Sequence, residues 1–397
     1  MKEPIKIAFV HAEHGHNDKG ISSGITEYVR SKPDWQLIAW PDPSLESLSF
    51  LKQQGCRGAI VNIQLAAKAK QFMQVGIPLI AYSTLQDMGN LPYISTDSNQ
   101  VAQMAFSYFS SKQFRNFAFF GLTQARWTGE RLDCFSEIIS KTGYKLHVFK
   151  SKPSHITNNV TSFIQLWIDS AMSQSRQELI EWLKQLPKPI AILASCDILG
   201  CHLSIFVKEA GLSIPDDVAI LGIDNNESIC NVCSVPLSSI SLNLNKAGYD
   251  AAHLLDDIIS GREKLAGQQI KIEPIHVIER ASTDIFAIQD EVVIMALQHI
   301  QSHCDEPLQV GEIADRVCIS KRLLQWKFKH FLKRSVHEVV VQAHFQKARS
   351  LLLETDLSIE KIAIDSGFGT SAKMRKAFLD TTGQLPNKYR QIHQPHK

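Results

Sequence analysis

Long apolar runs are missing from this chain of 397 residues. No stretch approaches the ~18 consecutive apolar residues of a membrane-spanning helix. The opening MKEPIKIAFVHAEH is too short and too polar for a signal peptide. The eight cysteines are irregularly spaced, which favours free thiols in a reducing compartment over a disulfide framework. We therefore expect a cytoplasmic protein.

Signatures of catalysis are missing as well. There is no Walker-type phosphate loop, no G-x-S-x-G elbow and no G-x-G-x-x-G at the first helix. His11, His14 and His16 in HAEHGH have no compact second ligand set, so we interpret them as a histidine-rich loop, with metal binding as the alternative. The lone C-x-x-C of Cys230 and Cys233 predicts small buried side chains rather than a zinc or redox site. We predict a protein that is not an enzyme and needs no metal or cofactor.

Short apolar runs recur through the first 280 residues and alternate with segments of helical length. Examples are IKIAFV at 5–10, NFAFFG at 116–121 and VAILGID at 218–224, and IKIEPIHVIER at 270–280 is predicted to be the last strand. Strands and helices in alternation predict parallel sheets with helices on both faces. Eight or more strands fit two lobes better than one sheet. We therefore predict an α/β domain of two Rossmann-like lobes.

Three aspartates follow such apolar runs: Asp97 after YIST, Asp197 after ILASC and Asp224 after ILGI. In open α/β sheets, ligands bind outside the carboxyl ends of the strands. A carboxylate there can accept hydrogen bonds from vicinal hydroxyls, which suits a sugar. Each aspartate can equally cap the helix that follows it. Three of them in one series favour a ligand cleft.

The C-terminal region contains one pattern twice, in GEIADRVCISKRLLQWKFKHF at 311–331 and SIEKIAIDSGFGTSAKMRKAF at 358–378. Each copy predicts a short helix, a turn and a second helix rich in bases. From residue 287 onward the chain has 16 Lys and Arg against 12 Asp and Glu, whereas the preceding residues have 26 against 28. A basic run is often only a solvated face. The repetition favours two helix-turn-helix units, at about 309–331 and 358–380.

The second helix of each unit separates an apolar face from a polar one. Leu324 and Phe328, and in the other unit Met374 and Phe378, are predicted to pack inward. Arg and Gln side chains match guanine and adenine edges in the major groove, and two helices in one domain can enter successive grooves ~34 Å apart. The candidate DNA-binding residues are Arg322, Gln325, Trp326, Lys329, Ser371, Ala372, Lys373, Arg375 and Lys376.

Together these segments resemble two known families over nearly the whole chain. AILASCDILGCHLSIFVKEAGLSIPDDVAILGIDN and the later PLSSI resemble the second lobe of LacI/GalR-type regulators and periplasmic sugar-binding proteins. Residues 308–390, which close with P-x-x-Y-R, resemble the AraC-type DNA-binding domain. The resemblance implies a sugar-binding sensor domain at 1–280, a linker at 281–290 and an AraC-type DNA-binding domain at 291–397.

The resemblance also implies a sugar cleft. Arg131 precedes LDCF, where related regulators have an inducer-binding arginine in R-x-x-G-F. Cys134 replaces that glycine, so Arg126 and Arg131 both stay candidates. Trp127 could stack on a pyranose or lie in the core, and Trp326 could contact DNA or serve the core of its domain. The implied cleft residues are Asp18, Asp97, Arg126, Trp127, Arg131, Asp197 and Asp224.

The expected function follows from these two parts. It is a sugar-responsive transcription regulator that binds double-stranded operator DNA, with a monosaccharide as effector. D-xylose is the sugar that the resemblance favours, while arabinose, another aldose or a deoxysugar could fit the same carboxylates. A homodimer on DNA is expected to act on RNA polymerase as a sugar-induced activator, and repression is the alternative. A protein of a different class also stays open, one that binds or processes carbohydrate and uses its C-terminal helices for assembly only.

The helix predicted after the linker can serve either the DNA-binding domain or an assembly. Its apolar face consists of Val292, Val293, Ala296, Leu297 and Ile300. Such a face can belong to the core of the DNA-binding domain, or can dock two chains together. We expect it in the core.

Overall fold

The computed structural model divides the chain into two compact units. The first consists of Met1–Ser110 and Arg115–Ile285, and the second of Ser111–Phe114 and Phe286–Lys397. One boundary between them falls between Ile285 and Phe286. In the part of the chain that the structure describes, no helix is both long enough and apolar enough to cross a membrane. The described residues are 3–12, 18–121, 125–149, 176–288 and 290–393.

The first unit is built on two six-stranded sheets, one in each lobe. In the first lobe the order is β11-β5-β4-β3-β1-β2, with β1 Ile5–Val10, β2 Trp35–Trp40, β3 Cys56–Asn62, β4 Leu79–Tyr82, β5 Tyr93–Thr96 and β11 Gln269–Ile272. In the second lobe it is β12-β10-β9-β8-β6-β7, with β6 Phe117–Phe120, β7 Leu146–Val148, β8 Ile190–Ala194, β9 Val218–Asp224, β10 Ser238–Leu242 and β12 Pro274–Ile278.

Helices connect most of the consecutive strands, as parallel pairing requires. The central strands β8 and β9 are buried almost throughout and read as continuous apolar runs, because helices cover both faces of the sheet. The two predicted Rossmann-like lobes are therefore confirmed. The helices are α1 Asp18–Arg30, α2 Leu45–Gln53, α3 Ala66–Met73, α4 Ser98–Ser111, α5 Arg126–Ser140, α6 Arg176–Gln185, α7 Asp197–Glu209, α8 Glu227–Cys230 and α9 Leu244–Ile259.

One predicted strand is wrong. IKIEPIHVIER forms two strands in different sheets, because β11 pairs parallel with β5 whereas β12 pairs antiparallel with β10. Glu273 stands between them, and Pro274 begins the second strand, where a missing N–H costs least. The chain thus crosses from the first lobe to the second at this point. Two short runs separated only by Glu273 looked like one strand because the apolar pattern continues through both.

Two helices of the first lobe pack with their backbones in contact. A Cβ on Gly24 of α1 would lie 1.8 Å from the carbonyl oxygen of Asn245 on α9. A Cβ on Gly248 would lie 2.1 Å from the carbonyl oxygen of Ile21. Both positions therefore require glycine, because any side chain would force the helices apart. This contact fixes α1, which carries Asp18 at its first position, against the C-terminal part of the lobe.

The second unit is helical in its described residues and has two hydrophobic cores. One core includes Phe286, Val293, Leu324 and Phe328, and the other is built around Phe378. Each core surrounds one copy of the helix pair that the sequence repeats. The helices are α10 Glu291–Ser302, α11 Val310–Arg316, α12 Lys321–Leu332, α13 Val336–Glu354, α14 Ile359–Asp365, α15 Ser371–Thr382 and α16 Pro386–His393.

Helix α10 belongs to the first of these cores. Val293, Ala296, Leu297 and Ile300 are buried there, and Val292 packs at its edge. The Asp290 side chain caps the helix by accepting a hydrogen bond from the Val293 amide, and its carboxylate also pairs with Lys327 on α12. The expectation that this helix serves the core of the DNA-binding region is confirmed.

The two copies also use the same turn geometry. Cys318 follows α11 with φ +55°, and Gly367 follows α14 at the corresponding position with φ +74°. Only glycine adopts this left-handed conformation without strain. Ser320 and Thr370 then cap α12 and α15. The Ser320 side chain accepts a hydrogen bond from the Leu323 amide, and the Thr370 side chain accepts one from the Lys373 amide. The repeat is therefore present in the structure as well as in the sequence. The first copy is strained, because Cys318 stands where the second copy has Gly367.

Candidate functional site

Arg131 lies at the centre of the predicted cleft. Helix α5 carries it, and only 4% of the residue is exposed. Its guanidinium donates to the carbonyl oxygen of Ser195 and, over 2.9 Å, to Thr96 Oγ1. It also lies 3.7 Å from Asp224 Oδ1. Thr96 ends a strand of the first lobe and the other partners belong to the second, so a single side chain joins the strand ends of both lobes.

Asp224 sits on a strained turn. Its φ is +109° and that of Asn225 is +50°, in regions that non-glycine residues rarely occupy. Arg280 holds the turn by donating to Asn225 Oδ1 over 2.9 Å. Burial raises the pKa of Asp224 to about 6, and the charge of Arg131 opposes this shift. Strain held by surrounding contacts is typical of functional sites.

Asp197 is more deeply buried, with 1% of its surface exposed. Its Oδ2 accepts a hydrogen bond from the Asn226 amide over 2.7 Å, and its Oδ1 accepts one from Ser239 Oγ over 2.5 Å. Burial and the nearby charge of Asp224 raise its pKa to about 7. Both carboxylate oxygens therefore accept hydrogen bonds from within the protein. The geometry suits a residue that positions the turn of Asp224 rather than one that faces a ligand.

Asp97 follows β5 and is used at the start of α4. Its Oδ1 accepts a hydrogen bond from the Gln100 amide and its Oδ2 one from Gln100 Nε2, each over 3.0 Å. This is the helix-capping alternative that the sequence left open. The side chain is partly exposed, and its neighbour Thr96 is the residue that meets Arg131.

Arg126 and Trp127 begin helix α5 and differ in their surroundings. Arg126 donates to Tyr93 Oη over 2.9 Å, stacks over the Tyr93 ring and lies 3.1 Å from Glu130. Trp127 packs at the edge of the second lobe's core, and the Arg131 guanidinium lies 5.0 Å from its ring centroid. Arg126 thus links the lobes near the surface, whereas Trp127 supports Arg131 through its aromatic face.

The first lobe contributes a second polar group at the ends of β1, β3 and β4. Asp18, the first residue of α1, lies 3.9 Å from His11 Nδ1. Tyr82 is buried beside Asp18 and Asn62, and burial raises the pKa of its hydroxyl. His14 and His16 lie outside the described residues. Within the described ranges, no three His, Cys, Asp or Glu side chains are grouped so that they could hold a metal ion.

Several polar residues of the cleft were missed by sequence reasoning. Thr96, Ser195, Ser239 and Arg280 all contact or position the predicted residues. Thr96 ends a buried strand and Ser195 directly follows one, so the rule that selected the aspartates could have selected them too. Nothing in the local sequence pointed to Ser239 or Arg280, because their partners lie in distant segments.

The predicted DNA-binding residues lie on exposed faces of α12 and α15. Leu324 and Phe328 are fully buried, as are Met374 and Phe378, which confirms the inward faces. The outward residues are exposed except for Ser371, which is half-buried; they are Arg322, Gln325, Trp326, Lys329, Ala372, Lys373, Arg375 and Lys376.

Trp326 is 57% exposed, so the alternative that it serves the core is contradicted. Its ring stacks on that of His330, with centroids 4.9 Å apart and planes inclined by 14°. His330 in turn meets Phe331 edge to face. The indole is therefore held in one orientation on the same exposed side of α12 as Arg322 and Lys329.

The closing P-x-x-Y-R motif has a structural role. Arg390 donates to the carbonyl oxygens of Leu352 and Leu357, over 3.1 and 2.7 Å. Tyr389 is buried and accepts a hydrogen bond from Arg349 Nε. These contacts fasten α16 to α13 and so fix the second helix pair. The basic residues that remain exposed on α15 are thereby presented from a rigid support.

Comparison with known protein families assigns both regions of the chain. Residues 106–283 match the periplasmic binding protein-like domain. Residues 313–392 match a helix-turn-helix domain. The chain is a DNA-binding transcription regulator, in which an AraC-type helix-turn-helix region follows a periplasmic binding protein-like sensor. The alternative of an assembly role for the C-terminal helices is not supported, because the relatives are regulators.

The chain is homologous to a particular group of regulators over nearly its whole length. It is 28% identical to the xylose operon regulatory protein of Haemophilus influenzae, with 97% of this chain and 98% of that one covered. It is 26% identical to the xylose operon regulatory protein of Escherichia coli K12, with 95% and 94% covered.

Solved structures show the same fold. The structure of a xylose-binding transcription activator, xylR, matches with a TM-score of 0.58 and 24% identity and covers 99% of both chains. A complex of the transcriptional regulator CelR with cellobiose matches with a TM-score of 0.52 and 18% identity and covers 71% of this chain.

Proposed function

We propose that this regulator binds D-xylose between the lobes of its sensor and activates a carbohydrate operon in response. The names of its full-length relatives, which are xylose operon regulatory proteins, support the choice of sugar. The observation that carries the site is the position of Arg131. Its guanidinium contacts strand ends of both lobes, and its Nε is buried without a hydrogen bond among the described residues.

The proposed roles divide the predicted residues into two groups. Arg131 and Asp224 face the sugar, since the guanidinium donates to hydroxyl oxygens and the carboxylate accepts from hydroxyl groups. Asp18 contributes from the first lobe, beside Tyr82. Asp197 positions the turn of Asp224. Trp127 orients Arg131, while Asp97 and Arg126 hold the cleft's edges through Gln100 and Tyr93.

Isothermal titration calorimetry with D-xylose, L-arabinose, D-ribose and D-glucose tests the sugar and the site together. We expect Asp224→Asn to weaken the binding of D-xylose by about 10- to 100-fold, because a hydrogen bond to a charged group contributes roughly 1.5–3 kcal/mol. Glu137→Gln, an exposed change on the same helix as Arg131, should bind like the parent. Tighter binding of another sugar would replace D-xylose, and unchanged affinity in Asp224→Asn would remove that residue from the site.

We further propose that α12 and α15 enter successive major grooves of the operator. Arg322 and Gln325 on the first helix, and Arg375 and Lys376 on the second, are exposed and carry donors suited to bases and phosphates. Arg375 is held loosely, 3.8 Å from Glu360, so it is available to DNA. Two such helices on one unit explain why the sequence repeats the pattern.

Fluorescence anisotropy with an operator selected from random DNA tests this face. Arg322→Ala and Arg375→Ala should each lose about 1–3 kcal/mol of binding free energy and relax the base preference at one position. Arg176→Ala removes the same charge from the sensor, where Arg176 pairs with Glu209, and should bind like the parent. If both recognition-helix variants bind operator DNA normally, the assignment of α12 and α15 is wrong.

We also propose that sugar and DNA binding are coupled in a homodimer that acts on RNA polymerase. A ligand shifts an equilibrium only through its different affinities for two states, and the coupling is reciprocal. Operator DNA should therefore raise the affinity for D-xylose by the factor by which D-xylose raises the affinity for DNA. Sugar titrations with and without operator, with the oligomer measured by sedimentation, provide the check. Equal sugar affinity in both titrations would refute regulation by this route.

A further inference from the structure

A short 3-10 helix, Ala281–Thr283, lies close to the end of the first unit, and we call it the exit helix. Its residue Ser282 is buried. The Ser282 hydroxyl donates to the carbonyl oxygen of Ile220 in β9 over 2.6 Å and accepts from the Ser238 amide of β10 over 2.8 Å. The exit helix is therefore bonded directly to the strand that ends in Asp224 and to the neighbouring strand.

A chain of hydrogen bonds also connects the exit helix to the strained turn of Asp224. Arg280, which precedes the exit helix, donates through Nη2 to Asn225 Oδ1 over 2.9 Å. Its amide donates to Ser238 Oγ over 2.8 Å, and Thr283 Oγ1 donates to the same oxygen over 2.6 Å. Ser238 and Thr283 are fully buried, where a polar group left without a partner is costly. The turn therefore cannot shift without moving Arg280 or breaking one of these hydrogen bonds.

The same hydrogen bonds reach the other place where the chain leaves the first unit. The chain passes into the second unit after Ser110 as well as after Ile285. Tyr108, near the end of α4, shares a hydrogen bond of 2.6 Å with Thr283 Oγ1. Thr283 thus joins the two segments that lead out of the first unit, and Arg280 joins one of them to the turn that faces the cleft.

We propose that Arg280 and Thr283 are positioning residues that couple occupancy of the cleft to DNA binding. The inference rests on the proposed function, in which a sugar contacts Asp224 and changes the affinity for DNA. A strained turn held by surrounding contacts is suited to change between two arrangements, and the sugar favours one of them. Arg280 moves with Asn225, and Thr283 moves with Arg280 through Ser238. The exit helix then occupies different positions in the sugar-free and the sugar-bound protein.

Thr283→Val tests the proposal, because it keeps the shape of the side chain and removes the hydroxyl. Thr283→Ser is the matched control, since it keeps the hydroxyl. The measured quantity is the coupling factor, which is the ratio of operator affinities with and without saturating D-xylose, from fluorescence anisotropy of the full-length protein. In the parent we expect a factor of about 5 to 150. Thr283→Val should lower it at least about twofold, whereas Thr283→Ser should keep it.

Two control measurements separate coupling from stability. The affinity of Thr283→Val for D-xylose without DNA, and its affinity for the operator without sugar, should stay close to those of the parent. A residue that only stabilised the fold would not change the ratio of two affinities. If Thr283→Val fails to fold, Tyr108→Phe removes a hydroxyl from the same chain of hydrogen bonds at a half-buried position and should also lower the coupling factor.

Hydrogen exchange provides a second readout at the exit helix itself. D-xylose should slow amide exchange in peptides that cover residues 280–288 of the parent and of Thr283→Ser, but not of Thr283→Val. A parent whose operator affinity does not respond to D-xylose would refute the proposed function, and this inference with it. If the parent responds and Thr283→Val and Tyr108→Phe respond equally, the proposed function stands and the role of these hydrogen bonds is wrong.

Discussion

Replacing Arg131 by methionine removes the guanidinium while keeping a side chain of similar length. The parent residue is 4% exposed, donates to Ser195 and Thr96, and pairs with Asp224. Two separate losses follow. The first is the pair of hydrogen bonds, which does not depend on pH. The second is the compensation of the Asp224 charge, which matters only when that carboxylate is ionised.

The sign of the pH dependence follows from Asp224. Burial already raises its pKa from the ordinary value of 3.8 to about 6, while Arg131 opposes the shift. Without Arg131 the pKa of Asp224 rises further, so the folded state holds the proton more tightly than the unfolded state does. Stability is then fully present below about pH 4 and decreases as the pH rises through the pKa of the folded protein. Arg131→Met should therefore be more harmful at high pH.

The expected magnitudes are distinct enough to measure. At pH 5 the variant should lose roughly 1–2 kcal/mol, because only the two hydrogen bonds are missing. At pH 8 it should lose roughly 3–5 kcal/mol, as is usual when one partner of a buried ion pair is removed. Hydrogen exchange of peptides from β8 and β9 across a urea series reports the stability of this lobe within the full chain.

Arg126→Met is the matched control. It changes the same residue type on the same helix, but the Arg126 side chain is 22% exposed and its acidic partners Glu130 and Asp87 are more exposed still. We expect a loss of about 1 kcal/mol with little change between the two pH values. An equal loss at pH 5 and pH 8 for Arg131→Met would refute the stabilising role of its ion pair with Asp224.

Four further substitutions test the backbone geometry, with urea unfolding as the assay. Gly24→Ala should destabilise the first lobe by about 2–3 kcal/mol, because its Cβ would collide with the carbonyl of Asn245. In the control Gly129→Ala on α5 the new Cβ meets nothing, so the free energy of unfolding should increase by up to about 1 kcal/mol. Equal effects of the two substitutions would contradict the close helix contact. Cys318→Gly should stabilise the second unit by about 0.5–1 kcal/mol by relieving its positive φ. Gly367→Ala should destabilise the second unit by about 1–3 kcal/mol. If neither Cys318→Gly nor Gly367→Ala changes the stability, the argument from backbone strain is wrong.

Local sequence patterns were enough to establish the class of fold and the repeat of the second unit. Buried parallel strands such as β8 and β9 must be apolar throughout, so they are visible as runs of letters. The faces of α12 and α15 were equally readable, because helical periodicity separates Leu324 and Phe328 from Arg322 and Gln325 without reference to any other segment.

The roles within the cleft became visible only in the folded chain. Sequence reasoning treated Asp97, Asp197 and Asp224 alike, since each follows an apolar run. In the fold, Asp97 caps α4, Asp197 is held by Asn226 and Ser239, and Asp224 meets Arg131. These partners come from segments far apart in the chain. A local pattern states that a carboxylate stands at a strand end, but which charge, amide or hydroxyl it meets depends on how distant segments pack.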